Sequence, residues 1–137
     1  MKKFYVDSCI WRDLIEDRKA GLQPLGEFAF QFFKKCVEKD CRVYYSKLVI
    51  DELLKHLEKE VVEDAFKEYE EILIFVEVTK EQVKEQYFLS SEKGVPLGDA
   101  RHAILARDNG CLLISRDKHF LGLEDLVESG RPEELEF

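Results

Sequence analysis

No stretch of this chain approaches the roughly 18 consecutive apolar residues that a membrane span requires, so no membrane association is expected. Its four cysteines form no C-x-x-C pair. A structural zinc site needs paired cysteines or neighbouring histidines, so Cys9, Cys36, Cys41 and Cys111 read as buried, reduced thiols acting as small hydrophobes. Lys and Arg number 21 against 29 Asp and Glu, a net charge of −8. That balance argues against a non-specific nucleic-acid coat, which rests on clustered cations. Neither G-x-x-x-x-G-K-[ST] nor G-x-G-x-x-G occurs, leaving nucleotide binding of those types unsupported. Internal repeats, low-complexity tracts and linker signals are lacking too. Met1-Lys2-Lys3 leads into a strand rather than into a signal-peptide apolar region, and a soluble cytoplasmic protein is expected.

What is present suits a single domain over residues 1–137. With 45% hydrophobic residues, a chain of this length buries roughly two-thirds of its unfolded surface. The acidity leaves room for a nuclease, because bound cations reverse the sign of an acidic pocket. It also suits a basic protein partner.

Hydrophobic periodicity predicts strands alternating with helices. Strand 1 is Lys3–Val6. A short helix from near Cys9 carries Ile10, Trp11, Leu14 and Ile15 and ends before Gly21. Pro24 starts a helix striped by Leu25, Phe28, Ala29, Phe32, Phe33 and Cys36, with Phe30 off the stripe and free for a protein contact. Strand 2, Arg42–Tyr45, stops at Ser46, an expected N-cap for a helix through Leu57. Val61–Tyr69 reads as a further helix, and Ile72–Val78 as strand 3. Thr79 and Gln82 form a capping box opening a helix to about Glu92. After the loop Gly94-Val95-Pro96, an alanine-rich helix spans Leu97–Asp108. Strand 4 is Cys111–Ile114, Leu121–Val127 is expected to hold a turn and a fifth strand, and Gly130-Arg131-Pro132 a terminal loop. Such alternation indicates a parallel α/β sheet covered on both faces.

Four acids stand where these elements hand over. Asp7 closes strand 1, Glu52 lies in the helix after strand 2, Asp99 opens a helix, and Asp117 follows strand 4 by three residues. Ligands of open parallel sheets bind outside the carboxyl ends of the strands. Carboxylates converging there repel one another unless a cation sits among them. Oxygen-rich ligand sets favour Mg²⁺ or Mn²⁺, and one or two such ions can activate water against a phosphodiester. Spacing leaves Asp51 and Glu52 equivalent, since both sit at similar angles from the apolar stripe of their helix.

The segments Tyr5-Val6-Asp7-Ser8, Ser46 to Leu53, Pro96 to Ala103 and Ser115-Arg116-Asp117-Lys118-His119-Phe120 resemble the four acidic motifs of PIN-domain ribonucleases, in order and across nearly the whole chain. The length is that of single-domain members, including VapC-type toxins. The resemblance implies a PIN-like three-layer α/β/α sandwich with strand order 3-2-1-4-5 and Mg²⁺- or Mn²⁺-dependent endonucleolytic cleavage of RNA. It selects Glu52 over Asp51. It assigns catalysis and metal binding to Asp7, Glu52, Asp99 and Asp117, with Ser115 hydrogen-bonding the site. As partners it implies a small basic antitoxin and a second copy of the chain. Two positions depart from the family pattern: Cys9 stands where Asn is common, and His119 where many members carry a further Asp. They motivate the alternative of a catalytically weakened fold that binds RNA or protein.

Around these acids, His102 lies on the Asp99 face of its helix as a packing or hydrogen-bonding residue. His119 reads as a proton shuttle or a solvated loop residue. Arg12, Lys47, Arg116 and Lys118 flank the strand ends as phosphate contacts. A haloacid-dehalogenase-type phosphatase would need Asp-x-Asp after strand 1, where Asp7-Ser8-Cys9 supplies one acid. A receiver module would need an acceptor Asp after strand 3, where Val78-Thr79 offers none.

Overall fold

The computed structural model describes residues 1–137. The chain runs β1 (Lys3–Val6), α1 (Ser8–Glu16), α2 (Leu25–Glu38), β2 (Arg42–Tyr45), α3 (Lys47–Leu54), α4 (Lys59–Glu68), β3 (Leu73–Phe75), α5 (Lys80–Lys93), α6 (Leu97–Asp108), β4 (Leu112–Ile114) and β5 (Ser129–Gly130). Short 3-10 turns occupy Glu70–Ile72, Lys118–Leu123 and Pro132–Glu134. All five strands are parallel, in the order β3-β2-β1-β4-β5.

Side-chain alternation along β1 shows how the layers form. Phe4 meets Phe32 of α2 edge-on, ring centres 5.1 Å apart. Its neighbour Tyr5 points to the other face and reaches His102 of α6. On the Phe4 face, Trp11 of α1 is fully buried and stacks on Phe66 of α4 at 4.0 Å, while its indole N–H meets no acceptor. Phe33 and Tyr69 complete this aromatic cluster. Burying aromatic side chains of this size contributes roughly 1.5–3 kcal/mol each, so the layer of α1, α2 and α4 is held mainly by them. On the other face, α6 presents Ala100, Ala103 and Ala106, all buried, and their small side chains let it lie close to the sheet. The result is the three-layer α/β/α sandwich expected from the family resemblance.

One close approach constrains the entry to α2. A Cβ on Gly26 would meet the Asp17 Cα at 2.5 Å and the Asp13 carbonyl oxygen at 2.9 Å. The first turn of α2 packs backbone to backbone against the end of α1, and only glycine fits there.

Several element bounds differ from the sequence expectation. β5 is Ser129–Gly130 rather than part of Leu121–Val127. The amides of Leu126 and Val127 bond the Leu123 carbonyl, so Leu123 and Val127 bury their side chains from a turn, at helical rather than strand spacing. Gly130 consequently belongs to a strand and Pro132 to a 3-10 turn, not to a loop. β3 covers only Leu73–Phe75 of the expected Ile72–Val78. As an edge strand it pairs with β2 alone, and β2 ends at Tyr45. α3 stops at Leu54, three residues early, and Ser46 occupies its N-cap without capping it. The Ser46 hydroxyl is engaged by Tyr5 instead. No helix is long and apolar enough to cross a membrane.

Candidate metal and catalytic site

The strand order reverses at β1, which pairs with β2 on one side and β4 on the other. The crevice beyond the carboxyl ends of β1 and β4 is therefore the topological switch point, where α/β sheets bind ligands. Asp7 is the first residue past β1 and the N-cap of α1, its Oδ1 accepting the Ser8 amide at 2.7 Å. Its other oxygen accepts the Ser115 hydroxyl at 2.7 Å. Ser115, just past β4, also accepts the Asp117 amide at 3.0 Å. One hydroxyl thus ties the ends of two adjacent strands.

Glu52 reaches the same crevice from α3. Its Oε1 accepts the Ser8 hydroxyl at 3.0 Å and lies 2.7 Å from His102 Nε2. Asp51, which spacing could not separate from it, turns outward to Lys47 at 2.9 Å. His102 is fully buried, its Nδ1 2.7 Å from Tyr5 Oη, which lies 2.7 Å from Ser46 Oγ. A continuous chain Ser46–Tyr5–His102–Glu52–Ser8 runs beneath the acids.

Asp99 sits in the first turn of α6, where the helix dipole favours negative charge. Its Oδ2 lies 2.6 Å from His119 Nδ1, and the same nitrogen is 2.9 Å from Asp117 Oδ1. The four acids are drawn together in two sets, Asp7–Glu52–His102 and Asp99–Asp117–His119. Within each set the ligand atoms lie within 4.8 Å of one another.

Electrostatics mark this crevice as short of positive charge. Burial, then the charges of Asp117 and Asp7, push the Asp99 carboxyl up to about 6, although its bond to His119 opposes them. Burial also works to raise Glu52, but the hydrogen bond and charge of His102 outweigh it and hold the carboxyl below its usual range. Burial lowers His102, yet its bond to Glu52 and the charge of Asp7 raise it overall. His119 is raised first by its bond to Asp99. The Cys9 thiol lies 3.6 Å from Asp7 Oδ2, and burial together with that charge pushes it up to about 12, so it stays a neutral, weak donor. Oxygen donors predominate, with one imidazole in each set. That donor chemistry fits Mg²⁺ or Mn²⁺, and Mn²⁺ accepts the nitrogen more readily.

The candidate phosphate residues divide. Arg12 pairs with Glu16 and Lys47 with Asp51, both one helical turn away. Lys118 is exposed beside Asp117. Arg116 is engaged structurally: its Nε donates to Asp13 at 3.0 Å and its two terminal nitrogens to Glu133 at 2.8 and 2.7 Å. Asp13 is fully buried and also receives Arg18. Sequence reading missed Asp13, whose signal is a carboxylate three residues after Ile10 on a buried helix face. It missed Tyr5 as well, a polar-tipped aromatic in the central strand.

The sequence matches the family model described as PIN domain over residues 4–126. None of the curated proteins matches this chain. Among solved structures, VapBC2 from Rickettsia felis bound to a promoter DNA fragment aligns at 15% identity over 93% of this chain and 98% of that one, with a TM-score of 0.68. A toxin–antitoxin complex from Klebsiella pneumoniae aligns at 19% identity over 96% and 98%, with a TM-score of 0.65. FitAcB from Neisseria gonorrhoeae aligns at 11% identity over 96% and 99%, with a TM-score of 0.63. These likenesses establish the fold, and the matched span establishes the family: this chain belongs to the PIN domain family.

Proposed function

We propose that this protein is a single-domain endoribonuclease, residues 1–137, that hydrolyses RNA phosphodiester bonds with Mg²⁺ or Mn²⁺. The observation that carries the reading is the gathering of Asp7, Glu52, Asp99 and Asp117 into two acid–imidazole sets past the strand ends, near enough that the charge of Asp7 acts on Asp99. In this reading the four carboxylates hold one or two ions. Held by these carboxylates, such ions would supply a lowered pKa for a water nucleophile and neutralisation of charge on the phosphate. Ser115 fixes Asp7 by its 2.7 Å bond, and His102 fixes Glu52 from a fully buried position. Both supports reduce the reorganisation needed when the substrate arrives.

Solved structures similar to this chain include a toxin–antitoxin complex. Together with the net charge of −8, this supports a small basic antitoxin as the regulatory partner; a homodimer is the working assembly that the family resemblance implies. The decisive experiment is RNA cleavage with and without Mn²⁺. Cleavage is expected to be Mn²⁺-stimulated and lost in Asp7→Asn, by a factor of at least about 10² given what removing one charge-stabilising group costs. Equal activity in that variant overturns the mechanism.

A further inference from the structure

Beside the acids lies a groove of about 270 Å³ between the start of α3, the residues after β3, and α6. Ser46, Lys47, Val76, Glu77, Val78 and Arg101 contribute to its walls. Arg101 differs from every other arginine except the exposed Arg131. Arg12, Arg18, Arg42, Arg107 and Arg116 each meet a carboxylate. Arg101 meets none: its side chain is half-buried and donates from Nε to Gln86 Oε1 at 2.7 Å, leaving its two terminal nitrogens without a protein acceptor. In a chain carrying eight more negative than positive charges, a half-buried guanidinium without a counter-ion is conspicuous. Lys47 adds a second cation whose pair with Asp51 is exposed and weak enough to exchange. Glu77 on the exposed rim is the only acid in the groove.

The groove adjoins the hydrogen-bonded chain beneath the candidate site, through Ser46 and Leu48. Arg101 immediately precedes the buried His102 on α6. Ser46 in its wall bonds Tyr5, which bonds His102. Leu48, another lining residue, lies with Glu52 Oε2 against Gly98 at the start of α6.

We infer that this groove is a phosphate subsite for the RNA strand, in which Arg101 grips a backbone phosphate next to the one being cleaved and Lys47 assists. The inference rests on the nuclease reading above. A guanidinium presents its terminal N–H groups as a fork matching two phosphate oxygens, and Arg101 has those nitrogens free. Gln86 holds the remaining edge, so the fork is aimed rather than floppy.

The test uses a short, mixed-sequence, single-stranded oligoribonucleotide labelled with fluorescein, bound in Mn²⁺ to the cleavage-silenced Asp117→Asn protein and read by anisotropy across a salt series. Adding Arg101→Gln is expected to weaken binding about tenfold and to make the slope of log affinity against log salt shallower by about 0.7, the value for one phosphate of a single strand. Arg101→Lys should restore the slope. Gln86→Leu, which removes the α5–α6 bond but keeps the cation, should leave the slope unchanged. An Arg101→Gln protein with the parent slope and affinity overturns the inference and leaves Arg101 as a strut between helices. If Gln86→Leu alone reproduces the Arg101→Gln loss, helix packing explains it and the inference also falls. The otherwise unmutated protein is assayed for Mn²⁺-stimulated cleavage in parallel. Absence of both cleavage and binding defeats the nuclease reading and this subsite with it, whereas cleavage with an unchanged Arg101→Gln slope defeats the subsite alone.

Discussion

The two halves of the acidic crevice use the same parts, two carboxylates and one imidazole, yet differ in how they are supported. In the inner half, Asp7 accepts the Ser8 amide and the Ser115 hydroxyl, Glu52 accepts Ser8 and His102, and His102 is fully buried against Tyr5. In the outer half, Asp99 has His119 as its hydrogen-bond partner, and His119 is half-exposed. The carboxyls respond in opposite directions: Glu52 is held down and Asp99 is pushed up to about 6. Burial raises both. What separates them is that a fully buried imidazole and a hydroxyl compensate Glu52, while Asp117 adds like charge to Asp99. The inner half is prepared by the fold, and in the proposed metal site the outer half would be completed by an incoming cation.

The largest effect expected from breaking this asymmetry is on stability. His102→Ala should cost roughly 3 kcal/mol in urea unfolding, because it opens a cavity and removes one buried hydrogen bond each from Tyr5 and Glu52. His119→Ala, on the half-exposed side, should leave the urea midpoint close to that of the parent protein. Equal losses would show that the two histidines are equivalent and remove the contrast.

Next in size is the pH dependence of cation binding. Asp99 is protonated below about 6, and His102 and His119 are both raised from their ordinary values. Cation ligands must be deprotonated. Mn²⁺ affinity, measured by calorimetry, should therefore rise at least about tenfold between roughly pH 5.5 and pH 7.5, with proton release in that window. A flat profile would mean that these groups do not hold the ion.

The smallest effect concerns Asp99 without metal. A carboxyl whose folded pKa lies above its unfolded value destabilises the fold when ionised. That penalty is absent below about pH 4, grows as pH rises, and is fully present above about pH 6. Asp99→Asn should accordingly stabilise the metal-free protein by about 1 kcal/mol near pH 7.5, allowing for solvent screening, and by nothing near pH 4. Thermal unfolding at both pH values checks the sign, and Mn²⁺ should erase the advantage.

Much of the fold was legible because local signals and tertiary pairing agree. β1, β2 and α6 lie where periodicity puts them, and the Thr79–Gln82 capping box forms with bonds of 2.8 and 3.1 Å. The acids were legible because strand ends in a parallel sheet point to one edge. Their division by two histidines was not. It depends on which side of α3 faces Ser8 and on how the turn after Asp117 folds back to Asp99, neither of which local spacing encodes. Arg116 illustrates the same limit: adjacent to Asp117 in sequence, it looks outward-facing, but buried Asp13, 103 positions away, claims it. The fifth strand escaped because Ser129 and Gly130 carry no apolar signal, and neighbouring Leu123 and Val127 do.

The aromatic stack beneath α1 has a practical consequence. Trp11 is the only tryptophan in the chain, and its ring is shielded from water one turn along the helix that Asp7 caps. Its emission should be blue-shifted in the native protein and move to longer wavelength as the interior opens. An intrinsic fluorophore therefore sits where loosening of the strand-end acids and their helix would first be sensed, without any added label.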